Sequence, residues 1–431
     1  MKKSLKSLIF TAVAVFGLSL FAGCKEEGIV IKEKNGKFTL YIDGVETYIK
    51  GVGGAQRLDI AAASGANAIR TWGGNVERSR ETLANAAKYN MYVMMGVGMT
   101  KDSASYTKEE YKERLRKEVT ELATAFKDDK NLLVWGLGNE LDLGNANNPT
   151  TWSFVNELAQ IIKSIDKRHL VSTIIAHNAK ALSYVGEYAP DLDVVGINSY
   201  GAIVSVEKMV NESKYNGAYF ITEWGPTGHW EVGRTSWRTP IEQTSEEKRI
   251  VYEERYNKYI LEPKACLGSF VFLWGQKQER TPTWYSMFVE SNVEGLPLKG
   301  EKTPQVEAMQ RVWSGKEPEQ TAPVITSYTI DGKKAAESII LPVGGTFTAT
   351  VEVHDKEGDK LSFVWEILGG ATVLGSGGSY ESRPARYGEV ITGDVNSQSF
   401  TITEAGRYNV FVYVLDNTGF VATANIPVSV E

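Results

Sequence analysis

Two acidic residues stand where an apolar run of chain stops. In "FITEWG", residues 220–225, Glu223 follows a stretch that reads as a buried strand, and in "LLVWGLGNE", 132–140, the run closes on Asn139 and Glu140. A carboxylate at the end of a buried strand is costly unless it has a partner, a wet cleft or a chemical task. Two of them suit a division of labour in which one donates a proton and the other acts as base or nucleophile. They lie 83 residues apart, so only a fold can unite them. Singly, each has a plainer reading: Glu140 as the cap of a following helix, Glu223 as the partner of Arg70 in a structural ion pair.

The elements that must position them recur as strand-then-helix units. Candidate strands are 48–54, 67–74, 91–99, 131–140, 169–178, 192–201, 218–225 and 267–276, each a nearly continuous apolar run of the kind found in a parallel sheet covered on both faces. Between them, "TKEEYKERLRKEVTELATAFKDD", "TTWSFVNELAQIIKSIDKRH" and "TSEEKRIVYEERYNKYILEP" carry apolar residues at helical spacing, and "TPQVEAMQRVW" supplies a last helix. Eight such units predict an α/β fold, a (β/α)8 TIM barrel. An open doubly wound sheet would favour a glycine-rich phosphate loop with an acidic partner, and "GVGGAQRLD" lacks that pattern. In a barrel the site lies at the C-terminal strand ends. Read in order, those ends offer Arg70 and Trp72, Asn139 and Glu140, His177 and Asn178, Asn198 and Tyr200, Glu223 and Trp224, and Trp274.

"GNE" at the fourth strand end and "TEWG" at the seventh resemble glycoside hydrolase clan A over nearly all of 29–313. The resemblance implies a retaining mechanism with Glu140 as acid/base and Glu223 as nucleophile, the carboxyl groups about 5 to 5.5 Å apart. It further implies that Asn139 bonds the sugar 2-hydroxyl, that Arg70 and Tyr200 keep Glu223 ionised, and that Trp274 floors the sugar site. Trp72 joins the substrate-binding set. His177 either lines the site or is a structural hydrogen-bonder. After the nucleophile, "GHW" and Trp237 suggest a loop beside the cleft, with Trp230 as a substrate platform or as loop packing. The whole plan is similar to family 158, linked to endo-acting β-1,3-glucan hydrolysis in gut Bacteroidetes. β-Mannanase, β-galactanase and mixed-linkage glucanase are alternatives within the clan, and a non-hydrolytic glycan-binding lipoprotein is one outside it.

The first residues have another role. "MKKSLK" followed by "SLIFTAVAVFGLSLFAG" and Cys24 resembles a bacterial lipoprotein signal, residues 1–23, with Cys24 lipidated and 24–28 a linker. Phe21 departs from the usual leucine of that motif. The resemblance implies an outer-membrane location through the lipid anchor, and "KEEG" points to the cell surface. The other cysteine, Cys266, is expected to be a small buried hydrophobe. A polar stretch, 314–324, leads to short alternating strands over 325–431, read as an immunoglobulin-like β-sandwich built on Trp365. Its expected role is that of a spacer packed on the barrel, with catalysis on short substrates surviving its removal. A net charge of −6 gives no reason to expect nucleic acid. No cofactor or metal is expected: metal-ligand motifs are lacking, and "DKEGD" at 355–359 with Asp416 reads as turn chemistry. The partners expected are a poly- or oligosaccharide substrate, with the chain a monomer.

Overall fold

The computed structural model describes residues 28–375 and 380–431. Cys24 and the signal segment lie outside these. Eight parallel strands close into a barrel in chain order: Ile49–Gly53, Ala68–Arg70, Tyr92–Val97, Leu132–Leu137, Leu170–Ala176, Val194–Asn198, Tyr219–Trp224 and Cys266–Val271. These are barrel strands one to eight, each lying within or at the edge of a predicted one. The helices between them start where local chemistry satisfies free N–H groups. Asn75 caps Val76–Ala87, Asn178 caps Ala179–Tyr188, and Asn148 caps Pro149–Ile165, whose first residue is a proline. Ser245–Arg255 opens on a capping box between Thr244 and Glu247. Pro304–Ser314 begins with proline and ends at Gly315, whose φ of 68° suits a residue without Cβ.

The floor of the barrel is sealed. Strands Ile29–Lys34 and Lys37–Ile42 form an antiparallel hairpin, and Ile29, Leu40 and Ile42 pack against Ile49, Met94, Leu133, Val194, Phe220 and Phe270 of the barrel. Arg168 grips Asp43 through two 2.8 Å bonds just before strand five. The mouth opposite is therefore the open end.

Beyond Gly315 lies the sandwich. Its sheets are Val324–Ile330, Thr346–His354 and Ser397–Thr401 on one side, and Ile340–Leu341, Val421–Val430, Gly406–Leu415, Ser362–Gly369 and Arg386–Gly393 on the other. Trp365, Val410, Val412, Phe347 and Phe400 fill the space between them. Because side chains alternate along a strand, Val364, Leu368, Phe411 and Tyr413 leave the opposite face. There they pack with Val289, Leu296 and Leu298 of the long segment that follows strand eight. No helix among the described residues is long and apolar enough to cross a membrane.

Candidate active site

Glu140 reaches the mouth through a strained turn. Gly138 has φ 75° and a Cβ there would meet Leu141 at 2.7 Å, so only glycine fits. Glu140 itself sits at φ 52°, a left-handed conformation costing a non-glycine residue about 1 kcal/mol or more. Gly225 of "TEWG" is needed for another reason: a Cβ there would lie 2.6 Å from the carbonyl oxygen of Phe272, where the eighth strand crosses.

Glu223 is 7% exposed and Arg70 1%. Arg70 donates to Glu223 Oε1 at 2.9 Å, to the Thr222 carbonyl at 2.7 Å and to Asn139 Oδ1 at 2.5 Å. The Trp72 indole donates to Glu223 Oε1 at 2.8 Å, and the Tyr200 hydroxyl donates to Oε2 at 3.2 Å. Three donors thus converge on one carboxylate and fix its orientation. Burial, and next the charge on Glu223, push the Tyr200 hydroxyl well above the ordinary tyrosine range, so it stays a donor. Asn198, at the end of strand six, joins the two halves. Its amide nitrogen donates to Glu140 Oε1 and to Asn139 Oδ1, each at 3.2 Å, and its oxygen accepts from Thr222 at 2.8 Å.

Glu140 lives in a different field. Burial, then the charge of Glu223, raises its pKa above the usual carboxylate range, while Lys101 and Asn198 oppose the rise. Lys101 Nζ lies 3.2 Å from Glu140 Oε2. A raised carboxylic acid beside an arginine-paired carboxylate suits the division of labour that acid-and-nucleophile chemistry requires. Removing the lysine charge must favour the protonated acid further. Lys101→Met is therefore expected to move the alkaline limb of the kcat/KM profile to higher pH, read on an oligosaccharide, whose leaving oxygen needs the proton. A limb that stays put or moves down would show that Glu140 does not feel Lys101.

These groups face a cavity of about 540 Å³ lined by Trp72, Asn139, Glu140, Tyr200, Glu223 and Trp230, with Met99, Lys101, Phe272, Leu273, Lys277, Glu279 and Tyr285 completing the wall. Trp230 is 50% exposed and stands edge-on to Tyr200, at 5.6 Å between ring centres. Two expected residues lie elsewhere. Trp274 is 1% exposed, donates to the Arg57 carbonyl and packs on Phe288 and Trp313. It borders a neighbouring cavity rather than this one, because strand eight ends at Val271 and Phe272 and Leu273 occupy the mouth instead. His177 binds Ser199 Oγ at 3.0 Å and lies 3.3 Å from Ser205 Oγ, outside the cavity wall. Burial lowers its pKa, which favours the neutral ring. Sequence reasoning did not single out Lys101, Lys277, Glu279 or Tyr285. All sit on loops, and the one available signal was "GQKQE" just past strand eight, where a lysine and a glutamate two apart can share a side. Far from the mouth, Asp355, Glu357 and Asp359 bring carboxylate oxygens within 4.8 Å of one another, and Asp355 accepts the Asp359 N–H as in a turn.

The site is a closed parallel barrel with two carboxylates at strand ends four and seven, one bonded to Arg70, Trp72 and Tyr200 and the other raised by burial. A family model described as Cellulase (glycosyl hydrolase family 5) matches residues 60–199, which takes in strands two to six and Glu140 but stops short of Glu223. The match supports glycoside hydrolase clan A for the barrel. Among solved structures, the chain resembles a calcium-binding mutant of Bacteroides uniformis beta-glucuronidase 2, with TM-score 0.50 and 12% identity over 94% of this chain and 48% of that one. It resembles a beta-glucuronidase from an uncultured Clostridium sp., with TM-score 0.51 and 16% identity over 67% and 54%. A beta-galacturonidase from Eisenbergiella tayi gives TM-score 0.50 and 16% identity over the same shares. The chain thus spans about half the length of these proteins, and identities this low speak for the fold. No curated protein matches in sequence.

Proposed function

We propose that the protein is a retaining, endo-acting glycoside hydrolase that cleaves β-glucan, with β-1,3-glucan as its substrate. One observation carries the reading: Glu140 and Glu223 are tied by Arg70, Asn139 and Asn198 into a single network at the barrel mouth. Glu140 protonates the leaving oxygen while Glu223 attacks the anomeric carbon, forming a glycosyl ester. Glu140, now a base, takes a proton from the water that releases the sugar. Asn139 is suited to the 2-hydroxyl. Its oxygen is occupied by Arg70 and Asn198, which turns the amide so that it can donate to substrate. Trp230 and Trp72 supply apolar faces for sugar rings.

The linkage follows the resemblance of the whole plan to family 158. A product profile on laminarin, mixed-linkage glucan, mannan, galactan and an aryl β-glucuronide tests it. Internal cleavage of laminarin in preference to the others is expected; preferential action on any other substrate overturns the assignment. The glucuronide belongs in the panel because the structural neighbours include enzymes named for uronides. The neutral substrate is favoured here because both lysines lining the cavity are already paired, Lys101 with Glu140 and Lys277 with Glu279.

We also propose that Cys24 is lipidated and anchors the protein to the outer membrane, facing the cell surface, on the strength of the basic, apolar and small-residue run before it. Cys24→Ala should move the protein from the membrane fraction to the soluble one. Persistence in the membrane fraction would sink the anchor.

A further inference from the structure

The segment after strand eight faces two ways at once. Lys277, Glu279 and Tyr285 line the catalytic cavity. The residues between them are held from behind. Arg280 donates its backbone N–H and a guanidinium N–H to the two oxygens of Glu381, each at 2.6 Å, and Glu381 is a buried residue of the sandwich. Thr281 and Thr283 donate to Glu242 at 2.5 and 2.8 Å. Glu242 in turn accepts from Lys248 at 2.5 Å and from Asn425 of the sandwich at 2.6 Å.

On the cavity side, Glu279 is 5% exposed, bonded to Lys277 through Oε2, and its Oε1 lies 3.3 Å from His229 Nε2. Burial alone would raise its pKa, but His229 and Lys277 outweigh burial and hold it below the ordinary carboxylate range. An ionised carboxylate beside a lysine can accept one sugar hydroxyl while the lysine donates to the next. The acid and nucleophile roles are already filled by Glu140 and Glu223, so this third carboxylate has no part in bond cleavage.

We propose that Glu279, with Lys277, recognises sugar hydroxyls in the catalytic cavity, and that the C-terminal sandwich positions this group through the Glu381–Arg280 pair. The inference rests on the glycosidase reading and adds a specificity element and a role for the second domain. Glu279 touches substrate; Glu381 is a positioning residue that acts through the loop.

The test uses the full-length chain with an aryl β-glucoside and its 3-, 4- and 6-deoxy analogues. Wild type should prefer the parent over at least one analogue by about tenfold or more, the scale of a charge-assisted hydrogen bond. Glu279→Gln should shrink that preference. Glu381→Ala should raise KM for the parent by about tenfold with kcat little changed, and shrink the same preference, while Glu381→Gln, which keeps one of the two accepting oxygens, recovers part of it. Arg280→Lys, which keeps the charge and the backbone donor but loses the guanidinium that spans Glu381 and the Gly375 carbonyl, should shift KM and preference in the same direction as Glu381→Ala and serves if that variant is insoluble. If Glu279→Gln keeps the preference, hydroxyl recognition by Glu279 is wrong. If Glu381→Ala and Arg280→Lys lower only the melting temperature, the positioning role is wrong. A wild type that cleaves neither the panel nor any polymer sinks the glycosidase reading, whereas cleavage of all four glucosides without preference sinks this inference alone.

Discussion

Glu223→Ala is expected to lose about 10⁴-fold or more in kcat on every substrate, because no other group can form the glycosyl ester. Glu140→Ala should behave differently according to the leaving group. On polymer, where the departing oxygen needs a proton, the loss should be about 10²–10⁴-fold. On an aryl glycoside with an acidic phenol the first step needs no proton, so the ester forms and accumulates. Added azide, a nucleophile needing no base, should then restore turnover for Glu140→Ala on that substrate. Equal losses on both substrate types, with no response to azide, would remove Glu140 from the acid/base role. The contrast follows from the two environments at the mouth. Glu223 is tied to a buried arginine and two further donors, while Glu140 is desolvated and faces the charge of Glu223.

The second large effect concerns residues 325–431. A chain ending near Gly315 would lose the cover over Val289, Leu296 and Leu298, and Glu290 would lose Arg383, its partner at 2.9 Å. Three aliphatic side chains at about 1.5–3 kcal/mol each make a loss of several kcal/mol. At about 2–4 °C per kcal/mol for a domain of this size, the melting temperature should fall by about 10 °C or more, with aggregation through the exposed patch. Oligosaccharide turnover should fall as well, since the uncovered segment carries Lys277, Glu279 and Tyr285. A soluble truncated protein with the full-length melting curve and unchanged rates would show that the sandwich neither braces the barrel nor positions this segment.

The sequence suggests a spacer packed on the barrel without saying which surfaces meet. "GRYNVFVYVL" shows apolar residues at nearly every position, so both faces of that strand had to be covered. The inner face could be assigned to the sandwich core, but the sequence does not say what meets Phe411 and Tyr413. The barrel strands were legible for the converse reason. Each is short, covered on both sides and bounded by a helix with its own period. The carboxylates at strand ends inherit that clarity, because the end of a strand is a defined place. Trp274 shows where the clarity stops. Two residues beyond the strand intervene, the pleat no longer dictates direction, and the ring turns into the core against Trp313. His177 stays open between two roles in the sequence for a similar reason, since neighbouring serines that meet both ring nitrogens are visible only once strands five and six are side by side. Lys101 and Glu279 are loop residues whose meaning depends wholly on what lies across the cavity.

The hairpin that plugs the barrel has a consequence for how the molecule is aimed. Gly28 is fastened to the floor: its N–H donates to Asp43 at 2.9 Å, and that of Ile29 to the Arg168 carbonyl at 3.2 Å. Cys24 is four residues away, and four residues of extended chain reach at most about 14 Å. A lipid on Cys24 would therefore tether the sealed pole of the barrel close to the bilayer and leave the catalytic pole looking outward. A polymer strand too large to slip between protein and membrane would meet Trp230 and the two glutamates without the enzyme having to turn over. The short leash, joined to a bottom-plugging hairpin, would act as a compass for the enzyme.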